Sequence, residues 1–204
     1  MTKSADIQVT LVPSAGSSWD QDGRLQGKAD LPATDESLSN TRLSLDEAGG
    51  AEVIFVAPDE ASKQTAALIA ERFPCKTRKV NALADLSLGL WEGLEETAAE
   101  DRYPTAFKQW RQDPASVIPP EGESFEDGVT RIVQGFAKAA DKASKPAVAV
   151  VARPDVALIL LRWLRGEPIA EGWNQTAFES PTTLTIPRER LKSEPILKAP
   201  AAAE

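Results

Sequence analysis

The 204-residue chain contains no histidine. That absence removes the imidazole nucleophile, the imidazole acid or base and the imidazole metal ligand in one step. A single cysteine, Cys75, excludes an internal disulfide and any multi-cysteine metal site, and the expected role for it is a buried structural thiol. No apolar run approaches the roughly 20 residues needed to cross a bilayer, and the opening MTKSADIQ lacks the apolar core of a secretory signal, so a cytoplasmic protein is expected. Positive charge is in deficit: 23 Lys and Arg against 31 Asp and Glu give a net charge of −8, which argues against a general affinity for nucleic acid or an anionic membrane.

What is present reads as one α/β domain, residues 1–190, followed by a loose tail, 191–204, that is rich in Lys, Pro and Ala. Ile7 to Val12 is a strand that empties into a small-residue loop, the place where an α/β protein usually keeps its ligand site. Thr34 to Ala48 reads as a weakly patterned helix stopped by Gly49 and Gly50. Glu52 to Val56 and Pro146 to Ala152 are near-continuous apolar runs, the pattern of strands covered on both faces. Asp59 caps a helix with Thr65, Leu68, Ile69 and Arg72 along one side, and Lys76 to Ala82 is a further strand. Residues 94–113 read as two short helices broken before Pro104, leading into the Pro-rich PASVIPPEGES. Ser124, with Asp127 three residues on, caps a long helix whose stripe of Phe125, Val129, Ile132, Val133, Phe136 and Ala140 predicts core. The helix VALILLRWLRG follows Arg153-Pro154-Asp155, and Thr182 to Ile186 is the last strand. Strands alternating with helices predict a three-layer α/β/α sandwich with a mostly parallel central sheet. No internal repeat is visible.

The stretch IQVTLVPSAGSSWDQDGRLQG, Ile7 to Gly27, resembles the first motif of the histidine phosphatase superfamily, the phosphoglycerate-mutase-like proteins, L-V-R-H-G-E-T-x-W-N-x-x-G-R-x-Q-G. Leu11, Val12, Trp19, Gly23, Arg24, Gln26 and Gly27 match it. Ala57, Pro58, Gln64, Thr65 and Ala66 fall in register with a second motif, S-P-L-x-R-A-x-Q-T-A. Gly89, Trp91, Glu92 and Gly93 match L-x-E-x-x-F-G-x-W-E-G, and the last strand resembles the closing S-V-T segment. The resemblance covers roughly residues 7–187 and implies that superfamily's fold, with residues 94–123 as a lid insertion.

On that alignment the groups that carry the superfamily's chemistry are absent. Pro13 stands at the phosphate-binding Arg, Ser14 at the His that becomes phosphorylated, Ala61 at the second phosphate-binding Arg and Arg153 at the second His. Asp85 stands at the acid that protonates the leaving group, and Pro154-Asp155 replace two glycines. Lys63 lies on a different helix face from Ala61 and does not take over its role. Positioned donors of this kind are worth roughly 3 to 4 kcal/mol apiece in acyl transfer, though such effects do not add simply. The resemblance therefore implies a catalytically inactive relative, a pseudoenzyme kept as a protein-interaction, scaffold or regulatory subunit. A protein partner, or a second copy of this chain, is the expected contact, and no cofactor or metal is implied.

Two further functions remain open from sequence. One is a non-catalytic sensor that binds a phosphorylated small molecule through Arg24, Arg153, Ser14 and Ser17; the other is metal-assisted hydrolysis by Asp20, Asp59, Asp85 and Asp155. Against the sensor, the acidic Asp20, Asp59, Glu60 and Asp155 repel a phosphate or pair with the arginines, and an internal ion pair from Arg153 to Asp85 or Asp20 is expected to plug the pocket. The DQDG of Asp20 to Gly23 resembles the centre of a calcium loop, but Ala29 occupies the position of the bidentate Glu. Trp110, Trp163 and Trp173 are free to be core or surface; two of them sharing an exposed patch would mark a partner site.

Overall fold

A computed structural model of the chain describes residues 6–45, 50–173 and 178–198. Its centre is a five-stranded sheet built from β1 (Asp6–Pro13), β2 (Val53–Val56), β3 (Lys76–Lys79), β4 (Ala147–Ala152) and β5 (Thr182–Pro187), in the order β3-β2-β4-β1-β5. β4 runs parallel to both β1 and β2, β3 runs parallel to β2, and only β5 is antiparallel. The helices are α1 (Ser18–Gln21), α2 (Asp35–Ser44), α3 (Glu60–Arg72), α4 (Glu96–Arg102), α5 (Pro104–Gln112), α6 (Phe125–Ala143) and α7 (Pro154–Arg165).

Alternation along the strands supplies both inner faces. Ile7, Val9, Leu11, Val53, Phe55, Val148 and Val150 point into one core with α6 and α7, where Phe136 stands edge-on to both Phe55 and Trp163. Val12, Ile54, Val56, Ala149 and Val151 point the other way, against Ala66 and Ile69 of α3 and Leu45 at the end of α2. β2 and β4 are buried on both faces, which is why their sequences are apolar throughout rather than alternating. The whole predicted stripe of α6 is buried, and Ser124 caps the helix by accepting from the Asp127 amide while its hydroxyl donates to the Asp127 carboxylate.

Several sequence boundaries shift. The third strand stops at Lys79, because Asn81–Leu83 turns into a 3₁₀ helix, and its residues KTRK are exposed; charged residues along an open edge are a usual guard against strand addition. The second helix ends at Ser44, and residues 46–49, including the expected stop at Gly49, lie outside the described residues. Cys75 is half-buried against the α3 core rather than buried, with enough desolvation to push its thiol up. Trp163 and Trp173 are core, and half-buried Trp110 packs on Trp91 and Phe107, so the three tryptophans share no exposed patch.

The expected loose tail is docked as far as Lys198. Arg188–Lys192 forms a 3₁₀ helix that buries Leu191, the Trp163 indole donates to the Ser193 carbonyl at 3.1 Å, and the amides of Ile169 and Ala170 donate to the carbonyls of Ile196 and Leu197. Composition misleads here because those bonds use backbone, which carries no sequence signature. Residues 199–204 lie outside the described residues. Leu191→Ala is expected to lower unfolding free energy by roughly 2 kcal/mol or more, read as a lower urea midpoint with unchanged slope; a loose tail would leave the midpoint where it is.

Candidate functional site

Pairing of β1 with β4 sets Pro13 opposite Ala152, and the Ser14 amide donates to the Ala152 carbonyl at 2.7 Å. The loop leaving β1 and the turn from β4 into α7 therefore meet at the carboxyl ends of the parallel strands, the crevice where open α/β sheets hold ligands. The loop after β2 adds Asp59, which caps α3 through the Ser62 amide. Ala61, in the first turn of that helix, is fully buried and presents no polar group; Lys63 turns away to pair with Glu60 at 3.1 Å.

At the centre lies Arg153, 6 % exposed. Its two terminal nitrogens clasp the Asp20 carboxylate at 3.0 and 2.5 Å, a bidentate pair. Its Nε faces Asp85 Oδ2 at 3.7 Å without a hydrogen bond. The sequence leaves either aspartate as the partner, and the structure supplies both. Asp20 is fixed from its other side by the amide and hydroxyl of Ser17, which caps α1 in a reciprocal capping box. Burial works to raise the Asp20 carboxyl, but the hydrogen bonds and charge of Arg153, with those of Ser17, outweigh it and hold the group below the usual carboxylate range.

Asp85 goes the other way. Its side chain is 11 % exposed, and burial, reinforced by the like charge of Asp155, pushes its carboxyl up to about 8 against the pull of Arg153 and the Leu86 amide. Sequence reasoning missed what holds it there. Arg131 of α6 donates to the carbonyls of Ala82, Ala84 and Asp85 at 2.8, 2.8 and 3.1 Å and pairs with Glu123 at 2.7 Å, so the Asp85 turn is pinned from below. Thr65, in register with the second motif, and Ser37, which no motif marks, also hold the loop after β1. Their hydroxyls accept from the amides of Ala15 and Gly16 at 2.9 and 2.5 Å, occupying backbone donors of the loop after β1.

The other expected ligand residues are not brought together as an anion site. Arg24 lines one hollow with Arg153, but its guanidinium donates to Glu95 at 2.7 Å and to the Gly93 carbonyl at 2.9 Å, because a bridge between Arg24 and Glu95 ties the two turns. Ser17 is fully buried, and its hydroxyl serves the Asp20 cap and Gln26. Ser14 is 7 % exposed and its Oγ has no hydrogen-bond partner. No carboxylate is hydrogen-bonded to Ser14 Oγ to serve it as a base. Among the described residues no group of three or more His, Cys, Asp or Glu has metal-holding geometry, and no helix is long and apolar enough to cross a membrane.

The turn residues shared with the superfamily motifs interlock. The amides of Leu25 and Gly93 donate to the carbonyls of Leu94 and Leu25, and Glu92 Oε1 accepts from the amides of Leu88 and Lys28. Gly27, at φ +58°, has no room for a Cβ, which would sit 2.5 Å from the Glu92 carboxylate, and a Cβ on Gly93, at φ +82°, would press on the Trp19 ring at 2.9 Å. Trp91 is fully buried in an aromatic cluster with Tyr103, Phe107 and Trp110 that fastens the 94–123 segment to the domain.

A family model for the histidine phosphatase superfamily (branch 1) matches residues 11–192. The chain belongs to the histidine phosphatase superfamily. It is similar to phosphoserine phosphatase 1 of Hydrogenobacter thermophilus, 28 % identical over 132 residues that make up 64 % of this chain and 62 % of that protein. It is similar also to a probable 2-carboxy-D-arabinitol-1-phosphatase of Arabidopsis thaliana, 30 % identical over 116 residues, 54 % of this chain and 24 % of that one. The match thus spans less than two thirds of either relative's length. Among solved structures, YhfR of Bacillus stearothermophilus superposes with a TM-score of 0.76 at 21 % identity, covering 87 % of this chain and 90 % of that one. A mycobacterial glucosyl-3-phosphoglycerate phosphatase gives 0.74 at 19 % identity, covering 88 % and 89 %. These superpositions establish the superfamily fold for the three-layer sandwich described above.

Two predictions follow from the charges around Arg153. Removing one member of a buried pair costs about 3 to 5 kcal/mol. Asp20 is one third exposed and Arg153 keeps Asp85, so Asp20→Asn is expected near the lower end, read by urea unfolding at pH 7. The second concerns pH. A carboxyl whose folded pKa is raised binds its proton more tightly in the native state, so stability falls as pH rises from the unfolded value near 4 to the folded value near 8, by at most about 1.4 kcal/mol per unit. Asp85→Asn is expected to flatten that slope between pH 5 and 8 and to leave the variant more stable than the parent at pH 8.

Proposed function

We propose that this chain is a pseudoenzyme, a histidine-phosphatase fold that has given up phosphoryl transfer and acts in the cytoplasm as a scaffold or regulatory subunit for a protein partner. One observation carries the reading: in a chain with no histidine, Arg153, the guanidinium buried at the centre of the cleft, is chelated by Asp20 and faced by Asp85. Phosphoryl transfer is largely positioning and charge stabilisation, and a guanidinium whose donors already grip a carboxylate has little left to offer a phosphate. Pro13, Ser14 and Ala61, at the positions that the superfamily's motifs give to charge-handling groups, contribute no cation. A serine ester at Ser14 would lack both a base to form it and the lability of a phosphoramidate to clear it.

The relatives are named as phosphatases, and activity on a phosphate ester is the contrary reading that similarity suggests. Against it, the turns that match the superfamily motifs are explained without chemistry, since the Arg24 and Glu92 turns lock the 94–123 segment onto the domain and would be needed for the fold alone. An anion sensor finds no open cation at the centre of the cleft, and metal-assisted hydrolysis by Asp20, Asp59, Asp85 and Asp155 finds Asp20 taken by Arg153. A second copy of this chain is the alternative partner.

The test is release of inorganic phosphate from phosphoserine, a sugar phosphate and an aryl phosphate, with and without Mg²⁺ or Mn²⁺. The expected rate equals that of buffer. Phosphate release that survives repurification and is abolished in Asp85→Asn would overturn the reading, whereas the tagged 204-residue chain is expected to recover one protein from lysate in near-stoichiometric amount.

A further inference from the structure

The Arg153–Asp20 pair lines two hollows, one toward Asp85 and Arg24 and a second, about 410 Å³, between α2 and the approach to β5. The second is of the size that ordinarily holds a small molecule. Its walls are Val12, Pro13, Pro154 and Phe178 on the apolar side, and Ser14, Ser37 and Asn40 on the polar side. Ser14 is the observation that points to a ligand. Its hydroxyl is buried without a partner at the wall of this cavity, and leaving such a group unpaired costs free energy.

We propose that this cavity binds an uncharged, hydroxyl-rich ring, a pyranose or a cyclitol, that is not phosphorylated. Every group offered to it fits that chemistry. Ser14 Oγ both donates and accepts; Ser37 Oγ already accepts from the Gly16 amide and so has its proton to give; Asn40, exposed at the mouth, brings an amide that does both. A ligand's hydroxyls can use both the donors and the acceptors of this set, whereas a phosphate dianion, acceptor only, would use the donors alone. Electrostatics select the same way. The cavity's cation, Arg153, is held by Asp20, and Glu179 at the rim is exposed, so a dianion would meet two carboxylates for one engaged guanidinium. The Phe178 ring and the two prolines give the C–H face of a saturated ring an apolar surface to cover. This inference is independent of the partner reading: it would stand whether or not the chain releases phosphate.

The test uses the full chain with glucose, myo-inositol and glucose 6-phosphate as probes, followed by saturation-transfer NMR and by thermal melting. At least one of the two neutral rings is expected to give a saturable signal and a rise in Tm, with glucose 6-phosphate bound at least tenfold more weakly than glucose. Ser14→Ala removes an orphaned hydroxyl, so its Tm without ligand should be no lower than the parent's, while affinity for the ring falls about five- to tenfold, the worth of one neutral hydrogen bond. Asn40→Leu, on the exposed face of α2, serves as the second variant with the same expected loss. No saturable signal from either ring would overturn the proposal. So would glucose 6-phosphate binding as tightly as glucose, or a ring signal unchanged in both variants.

Discussion

A guanidinium cannot be left alone in a protein interior, and the neutralisation of Arg153 shapes everything around it. Its donors take the Asp20 carboxylate in two parallel hydrogen bonds, and that carboxylate in turn receives the amide and hydroxyl of Ser17 at the start of α1. The loop leaving β1 is thereby stitched to the turn leaving β4, residues 133 apart in the chain. Asp85 then finds its nearest cation already engaged, and it lies in a buried place where its protonated form is favoured. One ion pair thus sets the charge at the centre of the cleft and the conformation of the loop over it, while burial and the like charge of Asp155 raise the Asp85 carboxyl beside it. Such pairs do not always stabilise relative to an apolar replacement, but they fix geometry, because breaking either half strands the other.

Much of this fold is written plainly in the residues. β2 and β4 are apolar at every position because both faces are covered, and the α6 stripe and its Ser124 cap are local patterns with local consequences. β3 is the opposite case: KTRK at an open edge has no apolar face to reveal, and its length follows from the turn at Asn81 rather than from pattern. The docked tail is hidden for a similar reason, since its bonds to Ile169 and Ala170 run through carbonyls that any residue possesses.

The site divides along the same line. That Arg153 finds an aspartate can be read from charge and motif register, but that Asp20 takes its two terminal nitrogens while Asp85 faces only its Nε depends on how the fold brings residues 20, 85 and 153 together. Ser17, expected at a ligand, instead caps α1, and the signal is local: Ser17 with Asp20 three residues on is a capping pattern. The place of Arg24 is set by long-range geometry that sequence does not display, its partner Glu95 being 71 residues away. Arg131, which holds the Asp85 turn, carries no motif at all; it is visible only once α6 is seen to pass beneath residues 82–85.

The strand order has a consequence for how the molecule is made. β4 sits between β2 and β1, so β2 can pair early with β3, but β1 has no neighbour, and the β3-β2 pair has nothing to join it to β1, until the residues near 150 have been made. At ordinary elongation rates of about 5–20 residues per second, the nascent chain carries the bare faces of Val9, Leu11 and Phe55 for several seconds before the central strand arrives. Parallel pairings of this separation are slow to form, so the half-synthesised chain exposes apolar strand faces that the finished sheet covers.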